Sequence, residues 1–196
     1  MEISHVISDG ILALVGFYVF FAYLLKLDLL STLLWESFIL SIAVAAFFGA
    51  LKFAHIGSFS ADVSLFFQNL ATTVGIVGLL AAVYQLVSGK KISSLVGYGV
   101  LGLGFIFLVV TELFEVQKVK QLASTLTMVA VAVMGIWAIA KRKTSIGVLL
   151  IAAVAFSGLA LFAPKQLTNA SNAIDAYHYL LAASVLCFGL AASKQQ

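Results

Sequence analysis

The chain has 196 residues, of which 63% are hydrophobic and 10% charged, and its formal net charge at pH 7 is +3. Soluble domains carry about 25% charged residues, so this composition excludes a water-soluble globular enzyme and a disordered chain alike. The single cysteine, Cys187, excludes a disulfide framework and a cysteine-built zinc site, and so small a positive charge calls for no nucleic-acid partner.

A bilayer core of about 30 Å needs about 20 mostly apolar residues per helix. Seven such runs follow one another, near residues 10–25, 32–54, 63–87, 92–113, 121–140, 144–163 and 173–193. The acidic stretch before the first run, with Glu2 and Asp9, lacks the basic region of a cleavable signal peptide, so the first run is expected to be a transmembrane helix. Lys26 and Asp28 close it. The second carries Glu36 beside Trp35 and ends at Lys52 and His55. The third opens at Asp62, carries Gln68 and Asn69, and is closed by Gly89, Lys90 and Lys91. Gly97, Gly99, Gly102 and Gly104 crowd the fourth and permit close backbone approach between helices; Glu112 and Glu115 end it. Lys141, Arg142 and Lys143 close the fifth, Pro164 and Lys165 the sixth. The seventh has Asp175 and His178 in its first turns.

Each run is too long for a barrel strand of about 10 residues, and none alternates strictly. Helices are then the remaining way to satisfy every backbone N–H and C=O in hydrocarbon. The expected fold is all-α: one polytopic membrane domain over residues 1–196, a seven-transmembrane-helix bundle. With seven spans, one side holds Lys26, Lys90, Lys91, Lys141, Arg142, Lys143 and Lys194, and the other Lys52, Lys118, Lys120 and Lys165. The side richer in Lys and Arg faces the cytoplasm. This places the N-terminus outside, the C-terminus in the cytoplasm and the chain in the cell inner membrane.

Ionisable groups in so apolar a chain are costly and mark functional sites by default. Asp9, His55, Asp62, Asn69, Glu112, Asp175 and His178 all fall at the outer level, and Asn172, Asp175 and His178, at i, i+3 and i+6, share much of one helix face. Histidines with carboxylates at one depth are the ingredients of a metal site or an acid–base pair. Each member also has a plainer role. Asp9 and Asp175 suit a positive helix end, Asn69 a hydrogen bond between helices, and His55 a headgroup-level helix end. A retinal protein is excluded, since residues 166–193 contain no lysine for a Schiff base.

The segments Ile7-Ser8-Asp9-Gly10-Ile11-Leu12, Ala46-Phe47-Phe48-Gly49-Ala50-Leu51-Lys52-Phe53-Ala54-His55 and Phe67-Gln68-Asn69-Leu70 resemble those of small bacterial seven-helix proteins. Those proteins are distantly similar to alkaline ceramidases and progestin–adipoQ receptors. The resemblance implies seven helices and a zinc site for hydrolysis of a lipid amide or ester. Its motif is a Ser four residues before a His at the end of helix 2, an Asp in helix 3 and a His-x-x-x-His pair in helix 7. Here His55 matches the helix 2 histidine and His178 one histidine of the pair. Leu51 stands at the serine position, Asp62 or Asn69 near the aspartate and Ala182 at the second histidine. The resemblance thus implies zinc held by His55, Asp175 and His178, with Asp9 and Asn69 as catalytic groups orienting water or the leaving group, and membrane lipids as partners. The alternative is a non-enzymatic membrane binding or scaffold protein in which the same residues form a hydrogen-bonded outer cap.

Overall fold

A computed structural model describes residues 3–114, 116–167 and 170–195, and their side chains apart from 163–166, 170 and 171. Glu115 and the side chains of Pro164 and Lys165, read above as ends of the fourth and sixth runs, lie outside the described residues.

The described residues are helical throughout the apolar runs, with no strand among them. α1 (Ile3–Ala22) leads through a short 3-10 turn into α2 (Leu29–Phe53). α3 (Ser60–Leu70), a π-helical segment (Ala71–Gly75) and α4 (Ile76–Ser88) together form the third span. α5 (Ser94–Leu113), α6 (Gln117–Ala140), α7 (Thr144–Gln166) and α8 (Ala170–Ala192) follow. Seven helices among the described residues are long and apolar enough to cross a membrane.

Local chemistry explains where the helices start and stop. Asp28 caps α2, its carboxylate accepting from Ser31 N at 3.2 Å, and Ser93 caps α5 in the same way. Gly89, at φ +73°, ends α4 in the left-handed conformation that lacks a Cβ penalty. His55 takes that conformation without being glycine, at φ +59°, and its N–H bonds Lys52 O at 3.0 Å to close the last turn of α2.

α1 begins at Ile3 rather than near residue 10. Its first turns are polar on one side only. His5, Ser8 and Asp9 are buried, whereas Ile3, Ile7 and Ile11 face outward. The polar side has partners on α8, so the helix continues where a hydropathy window stops. α6 likewise begins at Gln117 rather than near residue 121, because Lys120 is buried and bonded to neighbouring helices.

The core lies among α1, α2, α4 and α8, where Val19, Leu34, Trp35, Ile39, Leu79, Val83 and Phe188 have no exposed surface. Trp35 lies in this core with its ring centroid 6.4 Å from that of Phe188, and its indole N–H donates to Gln195 Oε1 at 3.1 Å. α5 and α6 sit at the rim, largely exposed along their length. Small residues set the closest crossings. A Cβ at Gly16 would lie 2.5 Å from the Ala43 Cβ, and one at Gly104 would lie 2.7 Å from the Val74 Cα. Gly99 and Gly102, two of the four glycines of α5, have nothing within 4 Å at the Cβ position, so they take no part in helix packing.

Candidate functional site

Residues at i, i+3 and i+4 share one helix face. That spacing puts His5, Ser8 and Asp9 together in the first turns of α1, and the i, i+3 spacing pairs Asp175 with His178 at the start of α8. The two faces meet at the end of the bundle where α2 terminates, and the His5 ring lies 4.9 Å from that of Phe53 in the last turn of α2. Gly49, one turn earlier, leaves the space that Asp9 fills, since a Cβ there would lie 2.7 Å from Asp9 Oδ2.

Four of the side chains, His5, Asp175, Ser8 and His178, form a hydrogen-bonded chain, and the Asp9 carboxylate stands at ion-pair distance from its end. Asp9 Oδ1 lies 3.2 Å from His178 Nε2. His178 Nδ1 lies 3.0 Å from Ser8 Oγ. Ser8 Oγ lies 2.8 Å from Asp175 Oδ1, which in turn lies 2.8 Å from His5 Nδ1. The Ser8 hydroxyl has one proton and three acceptors in reach, the carboxylate of Asp175, the imidazole nitrogen of His178 and, at 3.3 Å, the backbone carbonyl of His5. When it donates to His178, that ring carries its own proton on Nε2, the nitrogen that faces Asp9. When it donates to Asp175, His178 carries a proton on Nδ1 and donates it to Ser8. Proton position and hydrogen-bond direction are therefore linked along the chain.

Of the residues expected from sequence, Asp9, Asp175 and His178 come together here. Asn172, expected on the same face, is exposed. Asn69 lies in a different cluster, where its Oδ1 accepts from Lys120 Nζ at 3.0 Å. Lys120 Nζ also meets Glu112 Oε1 at 2.8 Å, and Lys120 is 3% exposed. Asn69 thus serves as an interhelical acceptor for a buried ammonium. His55 is exposed in the turn after α2, and its side chain has no hydrogen bond, ion pair or ring contact among the described residues.

These placements bear on the zinc ion that the resemblance implies. Among the described residues, no three His, Cys, Asp or Glu side chains are grouped so as to hold a metal ion. His178 directs its two ring nitrogens to different partners, Nε2 to Asp9 and Nδ1 to Ser8, and Asp175 reaches the ring only through Ser8. As arranged, the expected ligands His55, Asp175 and His178 do not converge on one point, and the donor set does not fit a shared zinc ion. What the geometry does hold is a hydroxyl, an imidazole and a carboxylate in sequence, backed by a second carboxylate–imidazole pair.

Sequence reasoning missed His5 and Ser8. The available signal was the His-x-x-Ser-Asp spacing of residues 5 to 9, one polar face opposite Ile3, Ile7 and Ile11. No curated protein and no solved structure matches the chain significantly. A family model does match, over residues 4–196: the chain belongs to the family of unknown function DUF6962.

Proposed function

We propose that the chain is a multi-pass protein of the cell inner membrane, N-terminus outside and C-terminus cytoplasmic, that hydrolyses a lipid amide or ester at its outer end through Ser8, His178 and Asp9. The seven apolar helices support the membrane setting. The excess of basic residues at the opposite end supports the orientation. The observation that carries the reading is a single imidazole, His178, which bridges a hydroxyl at 3.0 Å and a carboxylate at 3.2 Å. That is the order nucleophile, base, orienting acid by which unrelated folds perform acyl transfer.

In this reading Ser8 Oγ attacks the acyl carbon and its proton passes to His178 Nδ1. Asp9 holds the Nε2 proton and stabilises the imidazolium that forms. The leaving amine or alcohol takes the Nδ1 proton, and water then hydrolyses the acyl-serine by the same route reversed. The site lies within the first turns of two helices long and apolar enough to cross a membrane, which in this reading brings it near the acyl linkages of bilayer lipids.

A second reading is favoured by the burial of Ser8, which has no exposed surface and also meets Asp175 at 2.8 Å. There the five residues form a non-enzymatic latch that fastens α1 to α8. The two readings separate in one assay, release of fatty acid from long-chain amides and esters by purified protein in mixed micelles. The hydrolase predicts turnover that falls about 10²–10⁴-fold in His178→Gln and is abolished in Ser8→Ala. The latch predicts no turnover above a heat-inactivated control, with Ser8→Ala lowering the melting temperature instead.

A further inference from the structure

The opposite end of the bundle has an open cleft of about 450 Å³, of the size that takes small-molecule ligands. Five lysines from four separate segments line it: Lys26 between α1 and α2, Lys90 and Lys91 between α4 and α5, Lys143 between α6 and α7, and Lys194 after α8. Asp28 is the one carboxylate in the lining. Its oxygens are engaged by Ser31, through the amide at 3.2 Å and the hydroxyl at 2.9 Å, and the nearest lysine, Lys91, stands 3.9 Å away. Lys143 Nζ donates to the carbonyls of Leu86 and Val87 at the end of α4, both at 3.0 Å. Lys26, Lys90 and Lys194 have no carboxylate partner among the described residues.

The floor of this cleft is built. Gln85, 5% exposed, donates to Ser31 Oγ at 2.5 Å and accepts from Ile92 N at 3.2 Å, so it ties the loop that carries Lys90 and Lys91 to the first turn of α2. Gln195 donates to the same hydroxyl at 3.2 Å and fixes the chain beside Lys194. Gly89, left-handed at φ +73°, turns the loop back over the end of α4. Topology requires only that lysines be on this side; it does not require that they converge on one concavity, where like charges repel. Convergent ammoniums in a held cleft are what a multiply charged oxyanion needs, and lysine is a regular point-charge ligand for phosphate.

We propose that this cleft binds a phosphate-bearing anion, the phosphate bridging ammoniums of separate segments and so fastening the ends of α1, α4, α6 and α8 together. Two sources present that chemistry: a phospholipid headgroup entering from the bilayer and a free phosphate entering from water. Thermal unfolding of the purified full chain in neutral detergent distinguishes them. The additives are dioctanoyl phosphatidic acid, inorganic phosphate, dioctanoyl phosphatidylcholine, and sodium chloride at matched ionic strength. We expect a saturable rise in melting temperature with phosphatidic acid or phosphate. The apparent Kd should weaken roughly tenfold in the double variant Lys90→Gln/Lys194→Gln and stay unchanged in Lys118→Gln at the other end. A shift with phosphatidic acid alone assigns the site to a headgroup; an equal shift with inorganic phosphate assigns it to a free anion. The proposal is overturned by no saturable shift with either, by an equal shift with phosphatidylcholine or salt, or by an undiminished shift in the double variant.

Discussion

An imidazole inside an apolar bundle needs a partner for each nitrogen, because an unmatched buried polar group costs about 1–3 kcal/mol. His178 meets the Ser8 hydroxyl at 3.0 Å through Nδ1 and stands 3.2 Å from the Asp9 carboxylate through Nε2. At the other end Asp28 is the titrating residue with a structural task. Burial pushes its carboxyl up, but the Ser31 hydroxyl and amide and the Lys91 ammonium pull it further down, to a net value below the ordinary carboxylate range. A carboxylate depressed in the folded state stabilises the fold above its unfolded pKa and loses that contribution as pH falls through the folded value. Asp28→Ala should therefore cost about 0.5–2 kcal/mol at pH 7 as a lost helix cap, with the difference from wild type shrinking below about pH 4 in melts followed by circular dichroism. A pH-independent difference would mean that the cap acts without its charge. Asp9, Asp175 and His178 were legible in the sequence because an ionisable group stands out in a hydrophobic run. His5 and Ser8 were not, because a serine leaves no mark on hydropathy and the first helix was begun after them. Lys120 falls outside the apolar runs, and nothing in sequence announces a lysine whose ammonium is held by the Asn69 amide and the Glu112 carboxylate from other elements.

Among the elements, the third span departs furthest from a regular helix. The π-helical segment Ala71–Gly75 frees backbone carbonyls, and threonine hydroxyls take them up: Thr73 Oγ1 donates to Asn69 O at 2.7 Å and Thr72 Oγ1 to Gln68 O at 3.0 Å. This is how an irregular turn survives where water is absent. The segment leads into a close contact with α2, where a Cβ at Gly78 would run into Ser37 Oγ and lie 2.8 Å from Leu34 O. Gly78→Ala should thus destabilise the bundle by about 1–3 kcal/mol, whereas Gly99→Ala, facing open space, should stay within about 0.5 kcal/mol of wild type. Equal melting temperatures for the two variants would show that α2 and α4 do not cross as described. The glycine content of α5 was visible in sequence, but its division into packed Gly97 and Gly104 and unpacked Gly99 and Gly102 was not, because which face meets a neighbour is fixed by the whole bundle.

For the whole molecule, hydropathy alone sufficed to count seven helices long and apolar enough to cross a membrane, since that count depends on length and composition and not on packing. It could not say that α5 and α6 stand at the rim, because lipid and protein interior are equally apolar. The two ends differ in chemistry: acids and histidines gather where α1 and α8 begin, lysines where α1 and α4 end. The proposed orientation predicts that a reporter active only in the cytoplasm works when fused after Gln196 and is silent when fused before Met1; the reverse pattern would invert the assignment of ends. The central claim, that His178 and Asp9 make Ser8 a nucleophile, is tested most directly by treating the purified protein with a long-chain fluorophosphonate and mapping the adduct by peptide mass spectrometry. The account predicts a single phosphonate on Ser8, absent from Ser8→Ala and slowed at least about 10²-fold in His178→Gln; an unlabelled Ser8 in folded protein, or labelling that His178→Gln leaves unchanged, would contradict it.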